Sequence, residues 1–369
     1  MGTLNLLTII QDFDRKLQEY DSTSLPFREF LVTLLTEYNR VVQSTTDLFF
    51  GIDRYNTDEE TLKERINIVV NGTIKSLNHY LQKSTVDGEA MGFLKSCIDE
   101  SNLFQFTKKL KTYENNSSFY RLRKAAPSAT ILPREQLFHI GFGTRGRASS
   151  QRFSVPGFPC LYLSNAIYAA WKEMGEEVHT QGVRIENNRR ISLFDFSNTP
   201  FTPTEYNSQE LPDELIVYSM FFPLIAACTL KVKNKDYSFK DEYIIPQLLL
   251  EYIRTTPNVE GIMYKSTKIS IAIDKTKFIN IIIPPKTKPH PDKGYCDKLK
   301  VIFSMTDVEK ITFDPSNLIL PSKVVYENPE IERVEISGSL YAYDETLFAK
   351  IEHDLKIKAV LSCSSFVEV

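Results

Sequence analysis

The chain has 369 residues, with 44 Lys and Arg against 47 Asp and Glu and a formal net charge of −3. That balance excludes a polyanion binder working by bulk electrostatics, so nucleotide binding would have to come from a local cluster, and no nucleic-acid partner is expected. The length is that of two to three domains, and a 42% hydrophobic share supplies their cores.

Residues 1–115 read as a helical N-terminal domain. Leu6, Ile10, Phe13 and Leu17 recur at helical spacing, and Phe30, Leu34, Tyr38 and Val41 repeat the pattern after Pro26. Thr57-Asp58-Glu59-Glu60 is a helix start with acids in its first turn, and the stripe Leu62, Ile66, Val69, Leu77 and Leu81 follows. Asn71-Gly72 is a point where that helix would kink or break. A fourth helix runs from about Gly88 to Tyr113. Each stripe buries one face, as in a bundle, and nothing among them carries chemistry. The polar run Glu114-Asn115-Asn116-Ser117-Ser118 marks a boundary.

Residues 116–285 form the expected central domain. Phe119 to Arg123 alternates like a strand, with Arg121 and Arg123 on one face. The stretch LFHIGFGTRGRASSQRFSVPGFPCLYLSNAIYAAWKE (137–173) follows. It reads as a cationic loop with Arg145, Arg147 and Arg152, a Pro156-Gly157 turn, an apolar strand Cys160 to Leu163, and a helix from near Asn165 that reaches Glu173. Arg189 to Phe196 alternates like a strand. Leu215 to Leu230 is a buried helix or a strand pair, and Pro223 argues for a break. Ile244 to Arg254 is helical, Ile262 to Ser266 a buried strand, and Phe278 to Ile283 a core strand that stops at Pro284-Pro285.

The Pro- and Lys-rich piece 284–295 is a loop or linker. Residues 286–369 are an α+β C-terminal extension, either a separate subdomain or extra strands on the preceding sheet. Strand-like runs cover Lys300 to Phe303, Lys310 to Phe313 and Arg333 to Ile336, and a helix lies near Glu345 to Asp354. The fold class is therefore expected to be α+β.

The five cysteines are far apart and odd in number, and neither they nor the five histidines have zinc-ligand spacing. No metal is expected, and buried free thiols in a reducing cytosol are. The N-terminal run MGTLNLLTIIQDFDRK has no basic segment before it and no small-residue cleavage site. The window Leu215 to Leu230 is too short for a membrane span. A cytoplasmic location without membrane contact is the expectation.

Three features around the central stretch carry chemistry. Arg121, Arg152 and, beside them, Arg145 offer guanidinium groups that bind phosphate oxygens bidentately, or are solvated surface arginines. Tyr162 stacks its ring on a base or bonds a sugar through its hydroxyl, or is a core tyrosine with a satisfied hydroxyl. Glu173 sits a little over two turns into its helix. Spacing alone leaves it either in a cleft or facing outward with Lys172, Glu176 and Glu177.

Taken in order, Phe119-Tyr120-Arg121, Gln151-Arg152-Phe153-Ser154-Val155-Pro156-Gly157, Leu161-Tyr162-Leu163-Ser164, Ala170-Trp171-Lys172-Glu173, Gln247 on a helix and Gly261-Ile262-Met263-Tyr264-Lys265-Ser266 resemble the RES domain. That family is named for its arginine, glutamate and serine. The resemblance covers roughly Phe119 to Ile283. Gln151-Arg152-Phe153-Ser154 departs from the Gly-Arg-Trp-Asn often found there, which changes the aromatic wall. The segments before Phe119 and after Pro285 lie beyond a minimal RES domain.

The resemblance implies a mixed α/β domain similar to ADP-ribosyltransferase toxins and an enzyme that consumes NAD. On that basis Glu173, Arg152 and Ser266 are the catalytic set. Arg121, Tyr162, Arg145 and Gln247 bind substrate, with Arg121 and Arg152 on the diphosphate and ribose and Tyr162 at the nicotinamide end. NAD is substrate rather than cofactor, inorganic phosphate or water is the acceptor, and an antitoxin or regulatory protein is the expected partner. The chemistry suits these residue types, because cleavage of the nicotinamide–ribose bond builds positive charge on the sugar that a carboxylate stabilises. Two other readings stand beside it: transfer of ADP-ribose to a macromolecule, and a non-enzymatic nucleotide sensor or partner-binding protein.

Overall fold

The structure is a computed structural model. It describes residues 2–20, 24–49, 57–83, 88–110, 118–197, 213–269, 278–286, 292–324 and 331–367. In chain order come helices α1 (Gly2–Glu19), α2 (Phe27–Ser44), α3 (Glu59–Lys83) and α4 (Gly88–Glu100), then strands β1 (Lys108–Leu110), β2 (Ser118–Lys124) and β3 (Leu161–Ser164). Helix α5 (Ile167–Glu173) leads to β4 (His179–Asn187) and β5 (Ile191–Phe196), and α6 (Asp213–Thr229) and α7 (Ile244–Thr255) lead to β6 (Gly261–Lys265) and β7 (Ile279–Ile283). The chain closes with α8 (Asp297–Ile302), β8 (Phe303–Met305), β9 (Glu309–Thr312), β10 (Arg333–Ile336), β11 (Ser339–Ala342), α9 (Leu347–Lys356) and β12 (Leu361–Ser362). The fold is α+β. Among the described residues no helix is long and apolar enough to cross a membrane.

The chain divides into two compact units rather than three consecutive segments. One comprises Met1–Thr107, Gln151–Phe153 and Asn198–Asn258, and the other Lys108–Ser150, Ser154–Ser197 and Val259–Val369. The boundary expected at 115/116 lies outside the described residues. Helix character ends earlier than expected, since Lys108–Leu110 is a strand that pairs antiparallel with β5.

The first unit is helical. Its α6 is buried from Leu215 to Cys228 on nearly every side. A helix apolar all round must be enclosed by other helices, which is why this distant segment belongs with α1–α4. Pro223 lies inside α6 and does not break it. Proline removes the amide that would bond the carbonyl four residues back, and here the Tyr38 hydroxyl donates to that Ser219 carbonyl at 2.8 Å. Nor does Asn71-Gly72 break α3. A Cβ at Gly72 would stand 2.2 Å from the Cys97 Cβ, so the glycine is what lets α3 and α4 approach.

The second unit is built on a ten-stranded sheet in the order β1-β5-β6-β7-β3-β2-β4-β8-β12, with β9 also pairing to β4. The β5–β6 pair is parallel, and the other ladders are antiparallel. One face packs Phe119, Leu161, Leu163, Val183, Met263 and Ile281 into a core with Phe138, Tyr295 and Phe303. The other packs Tyr120 and Leu122 against α5, and against Phe348 and Leu355 of α9. The C-terminal extension is thus extra strands on the same sheet, plus a small β10–β11 hairpin. Lys300 to Phe303 corrects to the end of α8 and the first residue of β8, because Leu299 and Ile302 are buried at helical spacing.

Strand β4 lies within a stretch that the sequence reading assigns to no element. It carries Thr180, Gln181, Arg184 and Glu186, all buried, so no apolar alternation announces it. Side-chain partners make the burial tolerable. Gln181 accepts from the Leu132 amide and donates to the Thr130 carbonyl, Arg184 donates to the Leu355 and Lys358 carbonyls behind α9, and Arg184 pairs with Glu186. All five cysteines are buried and free.

Candidate active site

The site begins with one cross-strand row. Tyr120 of β2 stands opposite Ser164 of β3, Ser164 opposite Asn280 of β7, and Asn280 opposite Tyr264 of β6. Residues directly opposite one another in a sheet share a face. The row therefore places a tyrosine at each end and two polar side chains between, on the face that carries α5. All four are buried, with exposures of 3 to 7%.

Glu173 closes this row from above. It ends α5, whose apolar residues Ile167 to Trp171 pack into the core of that face. Glu173 Oε1 accepts from Ser266 Oγ at 2.7 Å and from Asn280 Nδ2 at 2.7 Å. Ser164 Oγ in turn donates to Asn280 Oδ1 at 2.6 Å. Oε2 makes no hydrogen bond among the described residues, and Glu173 is exposed. The carboxylate is held by one oxygen and presents the other. Ser266 is 3% exposed, its amide bonds the Phe278 carbonyl, and its Oγ accepts from the Lys268 amide. The hydroxyl proton is thereby directed to Glu173.

Tyr162 lies two residues before Ser164 on the same face of β3. Its hydroxyl and that of Ser154 are 2.8 Å apart. Burial pushes the Tyr162 hydroxyl well above the ordinary phenol range, so it stays protonated. Arg121 points to the opposite face of the sheet, with Phe119. Strands β2 and β3 share the register pair Tyr120–Ser164, and near it Arg121 Nη1 donates to the Tyr162 carbonyl at 2.9 Å. Burial, with the neighbouring Arg123 charge, lowers the guanidinium to about 10, and it remains a cation at neutral pH.

Arg145 and Arg147 sit on the 3₁₀ segment Phe142–Arg147, exposed and without a side-chain hydrogen bond or ion pair among the described residues. Arg152 and Gln247 belong to the helical unit. There Arg152 Nη1 donates to the Cys228 carbonyl at 3.0 Å near the end of α6, and the guanidinium lies over the Tyr243 ring at 5.5 Å. That places a cation on the carbonyls a helix leaves unbonded at its C-terminus. Gln247 Nε2 donates to the Gln151 carbonyl at 2.9 Å.

Of the expected residues, then, Glu173 and Ser266 touch. Tyr162 shares their face, and Arg121 backs Tyr162 from the other. Asn280 is absent from the sequence-based expectations, and Ser164 enters them only within the motif Leu161-Tyr162-Leu163-Ser164, without a role. The signal for Asn280 was a polar residue inside Ile279-Asn280-Ile281-Ile282-Ile283, where asparagine is disfavoured and burial is costly. Among the described residues no group of three or more His, Cys, Asp and Glu is placed to hold a metal ion.

No protein-family model matches the chain, and no solved structure matches it significantly. A curated protein of Bacillus subtilis (strain 168) named "Putative toxin YopC" is 31% identical over 250 residues, which cover 63% of this chain and 55% of that protein. The chain spans about half the length of this curated relative.

Proposed function

We propose that the chain cleaves the nicotinamide–ribose bond of NAD, with phosphate or water as acceptor, as the RES resemblance implies. The observation that carries this reading is Glu173, tied through Oε1 to Ser266 and Asn280 and open at Oε2. Loss of nicotinamide leaves oxocarbenium-like charge on the ribose. A carboxylate oxygen at that sugar stabilises the charge and orients a ribose hydroxyl, and the donors on Oε1 fix it in place beforehand. Ser266 acts here as a donor to the carboxylate and not as a nucleophile. Tyr162, on the same face of the sheet, lines the nicotinamide end in this reading. In this reading Arg145 and Arg147, exposed on their 3₁₀ segment, supply cations for the diphosphate, while Arg121 and Arg152 each place one N–H on a backbone carbonyl, of Tyr162 and Cys228, and keep further donors.

The relative's printed name supports a toxin, and loss of NAD is a route to toxicity. An antitoxin or other regulatory protein belongs to the same proposal. Purified chain incubated with NAD, with and without phosphate, tests it. Nicotinamide release is expected in at least one condition, and none in either overturns the reading.

A second acceptor is favoured by the exposure of Glu173, which leaves room for one as large as a protein. Labelled NAD added to a cell lysate separates the cases. Label on a macromolecule supports ADP-ribosyl transfer, and label only in small molecules supports degradation.

A further inference from the structure

We propose that Asn280 is a positioning residue for Glu173, with Ser164 as the group that sets its amide. The identity of the ligand at Glu173 rests on the NAD-cleaving reading above, whereas the arrangement itself does not.

Burying an amide at position 280 carries a cost. Asn280 lies in the middle of a sheet, on a strand between two others, and is 3% exposed. Every other residue of that strand is isoleucine. A buried amide there loses its hydration and gains nothing that an apolar side chain of the same shape would not provide to the core. Both ends of the amide are nevertheless used. Oδ1 accepts from Ser164 Oγ at 2.6 Å, and Nδ2 donates to Glu173 Oε1 at 2.7 Å. An amide has one acceptor end and one donor end. The Ser164 hydroxyl donates to Oδ1, which keeps Oδ1 on that side and Nδ2 on the side of the carboxylate. Turning the amide over would set Oδ1 against a carboxylate oxygen, which is repulsive.

The second cost is at Glu173. A carboxylate on the last residue of α5 stands at the negative end of the helix dipole. Two hydrogen bonds to one of its oxygens offset that position. With both on Oε1, the group cannot rotate without breaking two bonds, and Oε2 keeps one direction. Ser266 alone would leave the carboxylate free to swing about a single bond. Asn280 is what makes the clamp two-point. In the NAD reading, the direction it fixes is that of the oxygen facing the ribose. Asn280 touches neither the nucleotide nor the reacting bond and acts only through Glu173.

The test uses the paired variant Ser164→Ala with Asn280→Leu, which replaces both partners by apolar side chains so that neither is left unsatisfied. The expected thermal midpoint equals or exceeds that of the parent. Nicotinamide release should fall in kcat on the order of ten- to a hundredfold, with KM for NAD within about threefold. The two single variants should be non-additive with the pair. An unchanged kcat overturns the proposal, and so does a kcat that falls only in step with the midpoint. A readout independent of turnover is the side-chain amide resonance pair of Asn280 in the isotope-labelled parent chain. It should move in Glu173→Ala and in Ser164→Ala. Resonances indifferent to both substitutions overturn the positioning role whether or not the parent releases nicotinamide. A parent chain that releases none, with resonances that do respond, overturns the NAD reading and leaves the clamp supported.

Discussion

Glu173 Oε1 and Ser266 Oγ share a 2.7 Å hydrogen bond across 93 residues of sequence. The contact joins the end of a short helix to the residue that follows a central strand, and both ends come from the sheet-based unit. Because Ser266 and Asn280 both meet the same oxygen, the chemistry of the carboxylate and its position can be varied separately.

Glu173→Gln keeps an acceptor at Oε1 and removes the charge. The fold should survive, with a thermal midpoint equal to or above that of the parent, because a carboxylate at a helix C-terminus is relieved. Turnover should fall by two orders of magnitude or more while NAD still binds. Nicotinamide release together with titration calorimetry reads both. Parent-like turnover would remove Glu173 from the chemistry.

Ser266→Ala tests a hydroxyl that only orients. The variant should keep measurable turnover, reduced on the order of tenfold, because Asn280 still holds Oε1. Mass spectrometry of quenched parent reactions should find no adduct at Ser266. A trapped adduct, or loss of activity as complete as that of Glu173→Gln, would make Ser266 a nucleophile instead.

These two residues are legible in the sequence because each is a distinctive type at a recognisable place, a late helical acid and a strand-ending hydroxyl. Arg121 was legible as a cation, but not its direction. Strand alternation puts Arg121 and Arg123 on one face, and only the pairing of β2 with β3 and β4 decides that this face is the one away from Glu173. Arg152 is legible as a cation within Gln151-Arg152-Phe153-Ser154-Val155-Pro156-Gly157, while its bond is to a carbonyl 76 residues away, at a helix end that local pattern does not reveal. Asn280 hid inside a run whose β-branched neighbours announce core. Strand β4 hid for the opposite reason, since its polar side chains are buried, with Thr180, Gln181 and Arg184 bonded to backbone groups of three other segments and Glu186 paired with Arg184 on the strand itself. In each case the missing information is a tertiary partner.

His139 predicts how stability changes with pH. Its ring is 1% exposed, Nδ1–H donates to the Ile140 carbonyl at 2.7 Å, and Nε2 accepts from the Cys296 amide at 2.9 Å. Both nitrogens are used by the neutral ring, and burial lowers the group from 6.5 to about 4. The unfolded chain therefore takes up this proton first. Stability is held above pH ~6.5, is lost as pH falls from there towards ~4, and changes no further below, for a total of roughly 3 kcal/mol from this group. Denaturant midpoints at pH 7 and pH 4.5 should differ by less in His139→Gln than in the parent. An equal difference in both chains would assign the acid sensitivity to other groups.

Glu352 predicts what the C-terminal extension does for the site. It lies on α9, is 4% exposed, and its Oε1 accepts from the Ile167 amide at 2.6 Å and from the Tyr343 hydroxyl at 2.6 Å. The Ile167 amide is the first of α5, and Ala166 before it offers no capping side chain. A carboxylate from another helix thus caps α5 at its positive end, one turn and a half before the Glu173 that ends it. Glu352→Ala strands a buried amide and a buried hydroxyl, and should cost about 2–4 kcal/mol. Glu352→Gln keeps an acceptor and should cost about half as much or less. In the NAD reading, both should lower kcat with KM nearly constant, in the same rank order, because a loosened α5 carries Glu173 with it. Denaturant midpoints and nicotinamide release on the same preparations check the pair of rankings. If stability falls and kcat holds, the extension supports the sheet but not the site.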